Sequence, residues 1–204
     1  MHARAFFAAI PAGSALIVFA ERAAARAAAS SYAVSLLVMF GLSAAYHRLS
    51  RSPAARRWMQ RADHVGIYVL IAGTYVPIAI VALPMAWGIP LLSVIATAAV
   101  VSSVIKLTGI ARLQRLGFVL YPAMGWAAVS TAPVLFASTT ALQFALIVAG
   151  GLVYSFGIPV LVFRRPDPWP RVFGYHEVWH SFVVVAAVLH FVAVASVLTT
   201  GTGM

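Results

Sequence analysis

Long apolar runs separated by short polar or basic segments set the pattern of this chain. Seven runs occupy about 5–21, 31–47, 62–83, 86–108, 115–136, 139–163 and 173–199. Each is close to the roughly 20 residues that a helix needs to cross the hydrocarbon of a bilayer. None alternates apolar and polar residues with period two, as lipid-facing strands do. The pattern therefore predicts an all-α membrane protein, with residues 1–204 forming a single seven-helix transmembrane domain. The first run, with Arg4 ahead of it and Ala23, Ala24 and Ala25 behind, has the layout of a secretory signal; it is read here as a retained span.

Finer signals refine these elements. Ser52 followed by Pro53 reads as an N-cap and first helical residue, so a helix starts there and continues into the third run. Pro11, Pro77, Pro122, Pro133 and Pro159 fall inside runs, where kinks are tolerated if neighbours satisfy the freed carbonyls. Gly150, Gly151 and Ser155 offer close helix contact. Residues 164–170, with three prolines, read as a short turn.

Composition agrees with this class. The chain is 63% hydrophobic and 9% charged, against roughly a quarter charged in soluble domains. It has no cysteine, which excludes disulfides and thiolate metal sites. The net charge of +10 raises the question of nucleic acid, and its distribution answers it. Arg4, Arg48, Arg51, Arg56, Arg57, Arg61, Lys106, Arg112, Arg115, Arg164, Arg165 and Arg171 share one side of the predicted topology; only Arg22 and Arg26 lie on the other. This bias places the N-terminus in the cytoplasm and the C-terminus outside. The charge serves orientation and anionic headgroups, so no nucleic-acid partner is expected.

The topology then brings costly polar groups to one depth. His47 ends the second span, Asp63 and His64 begin the third, and His176, Glu177 and His180 begin the seventh, all on the cytoplasmic side. Ionisable groups inside a membrane mark a site by default. His176 and His180, four apart, lie one turn apart on a helix and can reach one metal ion. Three neutral imidazoles suit zinc and leave its fourth position open. Ser43, one turn before His47, is placed to orient a ligand or a water, and Asp63 to accept a hydrogen bond from that water. Each residue also has a plainer reading. The histidines fit interfacial hydrogen bonding, Ser43 fits a bond to its own backbone, and Asp63 fits an ion pair with Arg57 or Arg61. His64 points about 100° away from Asp63 on the helix and is expected outside the ligand set. His190 lies roughly 15 Å deeper than His180; it either lines a cavity or, as we expect, bonds a buried hydroxyl.

Together these residues carry a family resemblance. Ser43-x-x-x-His47, then Asp63-His64 opening Ile67-Tyr68-x-Leu70-Ile71-x-Gly73-Thr74-Tyr75-x-Pro77, then His176-x-x-x-His180 with His190-Phe191, resembles the hemolysin III branch of the progestin and adipoQ receptor family. That branch belongs to a superfamily that includes the alkaline ceramidases. The resemblance covers nearly the whole chain. It implies Zn2+ held by His47, His176 and His180, with Asp63 and Ser43 around the metal-bound water, and hydrolysis of a lipid amide or ester. The expected partner is a membrane lipid. Ala- and Arg-rich usage points to a bacterial inner (plasma) membrane.

Three other functions remain open on sequence grounds. One is a non-enzymatic, zinc-stabilised sensor or receptor of membrane homeostasis. Another is a pore-forming cytolysin, which the family name implies. The last is an intramembrane metalloprotease, because His176-Glu177-x-x-His180 meets the zinc-protease pattern with Glu177 as base.

Overall fold

The computed structural model describes residues 2–169 and 173–200. They form α1 (His2–Phe19), α2 (Ala23–Leu49), α3 (Pro53–Pro77), α4 (Met85–Thr108), α5 (Ala111–Trp126), α6 (Ala132–Ser138), α7 (Ala141–Phe163) and α8 (Tyr175–Thr200). A π-helical turn, Ile78–Ala82, extends α3, and a 3-10 segment, Ala127–Thr131, joins α5 to α6 as one broken span. Seven helices are thus long and apolar enough to cross a membrane. No β-strand occurs among the described residues.

Two helices start earlier than their apolar runs. α2 begins at Ala23 rather than 31 because alanine, the best helix former, dominates the intervening segment. α3 begins at Pro53, as the Ser-Pro signal predicts: the Ser52 hydroxyl accepts from the Ala55 N–H at 3.1 Å. Both extensions carry the helix past the apolar stretch into the polar boundary, where period and hydropathy no longer mark it.

In the bundle, α2 packs on α1 and α3, α3 on α4, α4 on α5, and α7 on α8; α8 also meets α1 and α3. Lipid is as apolar as leucine, so these contacts depend on close fit rather than on water exclusion. Gly73 lets α3 lie on α2: a Cβ there would stand 2.3 Å from the Ser35 Cβ. Gly157 does the same for α7, where a Cβ would stand 2.8 Å from the Trp179 ring. At the far end Gln143 donates to Ser196 and Thr200, at 3.0 and 2.8 Å, tying α7 to α8 a second time.

The broken span is held by two tyrosines of α3. Tyr68 donates to the Gly117 carbonyl at 2.8 Å. Tyr75 donates to the Met124 carbonyl at 2.9 Å and accepts from the Ala128 N–H at 2.9 Å. Backbone groups freed where α5 gives way to the 3-10 segment are thereby satisfied, a requirement in hydrocarbon.

Polar side chains finish the helix ends near the site. Arg61 donates to the Leu107 carbonyl at 3.1 Å and lies over the Trp58 ring at 5.2 Å. It caps the end of α4, where Gly109 turns the chain with φ of 69°. Arg164, with φ of 54°, ends α7. Asp167 then accepts from the Tyr175 N–H at 2.9 Å, and Glu177 from the Gly174 N–H at 3.0 Å. These two carboxylates fix the start of α8 and favour its positive end. The tight turn expected over 164–170 is present through Trp169, which pairs with Phe173 through both backbone groups. Pro170 and Arg171, and the start of the last apolar run at Val172, lie outside the described residues. So does Arg115 as far as its side chain is concerned.

Candidate metal centre

His47 sits in the last turn of α2, and His176 and His180 in the first two turns of α8. The four-residue spacing stacks the two α8 rings on one face, with centroids 4.3 Å apart. His47 comes across from α2, its ring centroid 5.1 Å from each of them. The His176 Nε2 lies 3.3 Å from the His47 Nε2 and 2.8 Å from the His180 Nε2. One ligand atom from each ring falls within 4.8 Å of the others. Tetrahedral zinc with Zn–N bonds near 2.0–2.1 Å places ligand nitrogens about 3.3 Å apart, so the spacing is of the right size.

The donor set also fits a cation chemically. Three imidazole nitrogens, one from each ring, lie close to one another. A shared proton serves one such pair at a time; a divalent ion serves all three lone pairs together. His47 is exposed, His176 half-buried and His180 buried at 7% exposure, so the cluster runs from the surface into the bundle.

The sequence-predicted residues meet in one cavity of about 580 Å³, whose wall includes Ser43, His47, Asp63, His176 and His180. α3 therefore contributes to the same space as α2 and α8. Asp63 has no hydrogen-bond or ion-pair partner among the described residues; Arg61 is committed to Leu107 and Trp58. Ser43 is buried, and its Oγ lies 2.7 Å from the His2 Nδ1 rather than on a carbonyl of its own helix.

The remaining polar residues separate from the cluster. His64 lines the cavity but donates from Nδ1 to the Gln60 carbonyl at 2.6 Å, outside the triad. Glu177 serves the α8 N-terminus. His190 corrects an expectation: its Nε2–H reaches the Ile147 carbonyl at 3.2 Å, not a hydroxyl. The ring lies against Gly150, where a Cβ would stand 2.4 Å away, while Gly151 faces open space. His190 also lines a second, smaller cavity of about 70 Å³ walled mainly by apolar side chains. Ile67, Tyr121 and Ile158 border both cavities. The two cavities therefore lie side by side, with these three residues on the wall they share.

His2 is the residue that sequence reasoning missed. It is 6% exposed and lies 2.7 Å from the His180 Nδ1. A signal existed: it stands at the start of the first span, on the side of the bundle where the other site histidines were expected. Its isolation from any motif hid it.

The sequence model of the family described as "Haemolysin-III related" matches residues 1–191. The chain is 30% identical over 188 residues to Hemolysin-3 of Bacillus cereus, covering 91% of this chain and 83% of that protein. It is 31% identical over 153 residues to the Hemolysin-3 homolog of Bacillus subtilis (strain 168), covering 75% and 68% of the two chains.

Proposed function

The chain belongs to the haemolysin III-related family of membrane proteins, and from that premise we propose that it is a zinc-dependent hydrolase of a lipid amide or ester. The observation that carries the proposal is the meeting of three imidazole Nε2 atoms with Asp63, a carboxylate with no hydrogen-bond or ion-pair partner among the described residues, in one cavity that lies beside a smaller, mainly apolar one.

His47, His176 and His180 would hold the ion. When bound, zinc supplies Lewis acidity toward an acyl carbonyl and lowers the pKa of water. The Asp63 carboxylate, with no hydrogen-bond or ion-pair partner among the described residues, would orient the attacking water, accept its proton at Oδ and return it to the leaving nitrogen or oxygen as the acyl bond breaks. Ser43, on the wall of the same cavity, holds the His2 ring. The apolar side chains Ile67, Tyr121 and Ile158, on the wall shared by the two cavities, would border the acyl end of the substrate. The basic-residue bias supports a cytoplasm-facing site, and the Bacillus relatives support a bacterial inner membrane.

A second reading has its own support. The ion would join α2 to α8 through residues 129 positions apart, so zinc binding alone would stabilise the bundle, as a sensor or receptor would use it. Purified protein in liposomes carrying ceramide and ester lipids separates the two. Release of fatty acid that stops on chelation supports the hydrolase. Zinc-dependent melting without release supports the structural role, and zinc-independent leakage of the vesicles would favour a pore.

A further inference from the structure

We infer that the lipid taken by the larger cavity carries a phosphate headgroup, recognised by two cations, Arg56 of α3 and Lys106 of α4. The inference rests on the lipid-hydrolase reading above and names the substrate class of the same cavity.

α3 presents an ordered series of chemistries to that cavity. Arg56, Gln60, Asp63 and Ile67 all line it, and spacings of four, three and four residues put them on one helix face. At about 1.5 Å per residue, Arg56 stands about 10 Å along the axis from Asp63, and Ile67 about 6 Å beyond Asp63 in the other direction. The face therefore runs from a guanidinium through an amide and a carboxylate to the apolar wall shared by the two cavities. An amphiphile with its acyl bond at Asp63 and its tail toward Ile67 has its headgroup toward Arg56. In a phospholipid only a few bonds separate the acyl carbon from phosphorus, and the long arginine side chain can span the rest.

Lys106 supplies the second cation. It lies in the last turn of α4, half-buried, on the wall of the same cavity. Its neighbours Val104 and Leu107 take the exposed face, at 56% and 39%. A lysine that serves only the positive-inside bias reaches outward to the headgroups; Lys106 lines the cavity instead. Neither Lys106 nor Arg56 has a hydrogen-bond or ion-pair partner among the described residues. Arg61, by contrast, is committed to the Leu107 carbonyl. The carboxylates on the wall are Asp63 and Glu177, and Glu177 is held by the Gly174 N–H. A partly desolvated ammonium without an anion is costly. Phosphate oxygens offset that cost and offer arginine a bidentate acceptor.

The test measures binding of a matched pair, dioctanoyl phosphatidic acid and dioctanoyl glycerol, to purified protein at equal mole fraction in neutral detergent. Inorganic phosphate is the third ligand. Affinity is read from the ligand-dependent rise in melting temperature, each variant against its own ligand-free form, so a folding defect is seen separately. Wild type should bind phosphatidic acid at least roughly 10-fold more tightly than either other ligand, the scale of one hydrogen bond to a charged group. Lys106→Gln and Arg56→Gln should each lose most of that preference. Lys106→Arg should keep it, and so should Arg57→Gln, because Arg57 is exposed and off the cavity wall.

Equal binding of the two lipids by wild type would overturn the inference. So would a preference that survives Lys106→Gln and Arg56→Gln combined, as phosphate seated on the metal would give. An equal loss in Arg57→Gln would also overturn it, since surface charge would then suffice. Inorganic phosphate bound as tightly as phosphatidic acid would make the site one for the free ion, not for a lipid. Fatty-acid release from the same two lipids in neutral vesicles separates this inference from the parent reading. Equal release from both would overturn the headgroup preference and leave the hydrolase standing. Preferred binding of phosphatidic acid with no release from either lipid would overturn the hydrolase and leave the headgroup site.

Discussion

His47 and His176 stand 129 residues apart in sequence, yet their Nε2 atoms lie 3.3 Å apart at one end of the bundle. Neither helix holds the site alone. α8 supplies two rings by its four-residue repeat, and α2 brings the third because α1 and α3 pack between and around them. Zinc content should follow that division. Purified wild type should carry about one zinc per chain, as a single three-histidine site requires. His47→Ala, His176→Ala and His180→Ala should each weaken binding by more than the roughly 10–100-fold of an outer-shell partner. His64→Ala and His190→Ala should retain it. Metal analysis after dialysis decides, and full retention by His47→Ala would remove α2 from the site.

Close approach of α2 and α3 sets where His47 and Asp63 stand relative to each other. Gly73→Ala would push a methyl group to 2.3 Å from the Ser35 Cβ, an atom fixed by the backbone. A cost of about 1–3 kcal/mol is expected for such overpacking, read as a lower melting temperature of the zinc-free protein. Gly151→Ala, with nothing within 4 Å of the added Cβ, should leave it nearly unchanged. Equal melting of the two variants would contradict the packing account.

Orientation rests on the basic residues. The chain has no native cysteine, so single cysteines report cleanly. Glu21→Cys, in the exposed link between α1 and α2, should react with an impermeant thiol reagent in intact cells. Arg51→Cys, exposed between α2 and α3, should be shielded until the membrane is opened. The opposite pattern would move the histidine cluster to the outer face.

Much of this architecture was legible in the sequence because a bilayer imposes long apolar runs, and the charge bias orders their ends. The ligand histidines were legible as a group because His176 and His180 obey the helical repeat and His47 shares their depth. Other features depend on tertiary contacts that no local pattern encodes. The break between α5 and α6 is stabilised from α3 by Tyr75, and nothing in the run around Ala127 announces it. His190 was assigned a hydroxyl partner, whereas α7 comes close enough through Gly150 for the ring to reach a carbonyl. His2 meets His180 across 178 residues, a pairing visible only once α1 lies against α8. The apolar run at 31–47 marks less of α2 than the helix itself, because hydropathy marks what lies in lipid, while helix propensity marks what is helical.

Two carboxylates compete for the role of general base, and their surroundings differ. Glu177 is held by the Gly174 N–H at the start of α8, whereas Asp63 faces the cavity without a partner among the described residues. The most direct measurement is fatty-acid release by zinc-loaded wild type, Asp63→Asn and Glu177→Gln in the same lipid vesicles. Asp63→Asn should keep its zinc and lose roughly 10²–10⁴-fold in rate, the usual contribution of a positioned base. Glu177→Gln should stay within a few-fold of wild type. Loss of release in Glu177→Gln with full activity in Asp63→Asn would contradict the account and favour the protease-like arrangement.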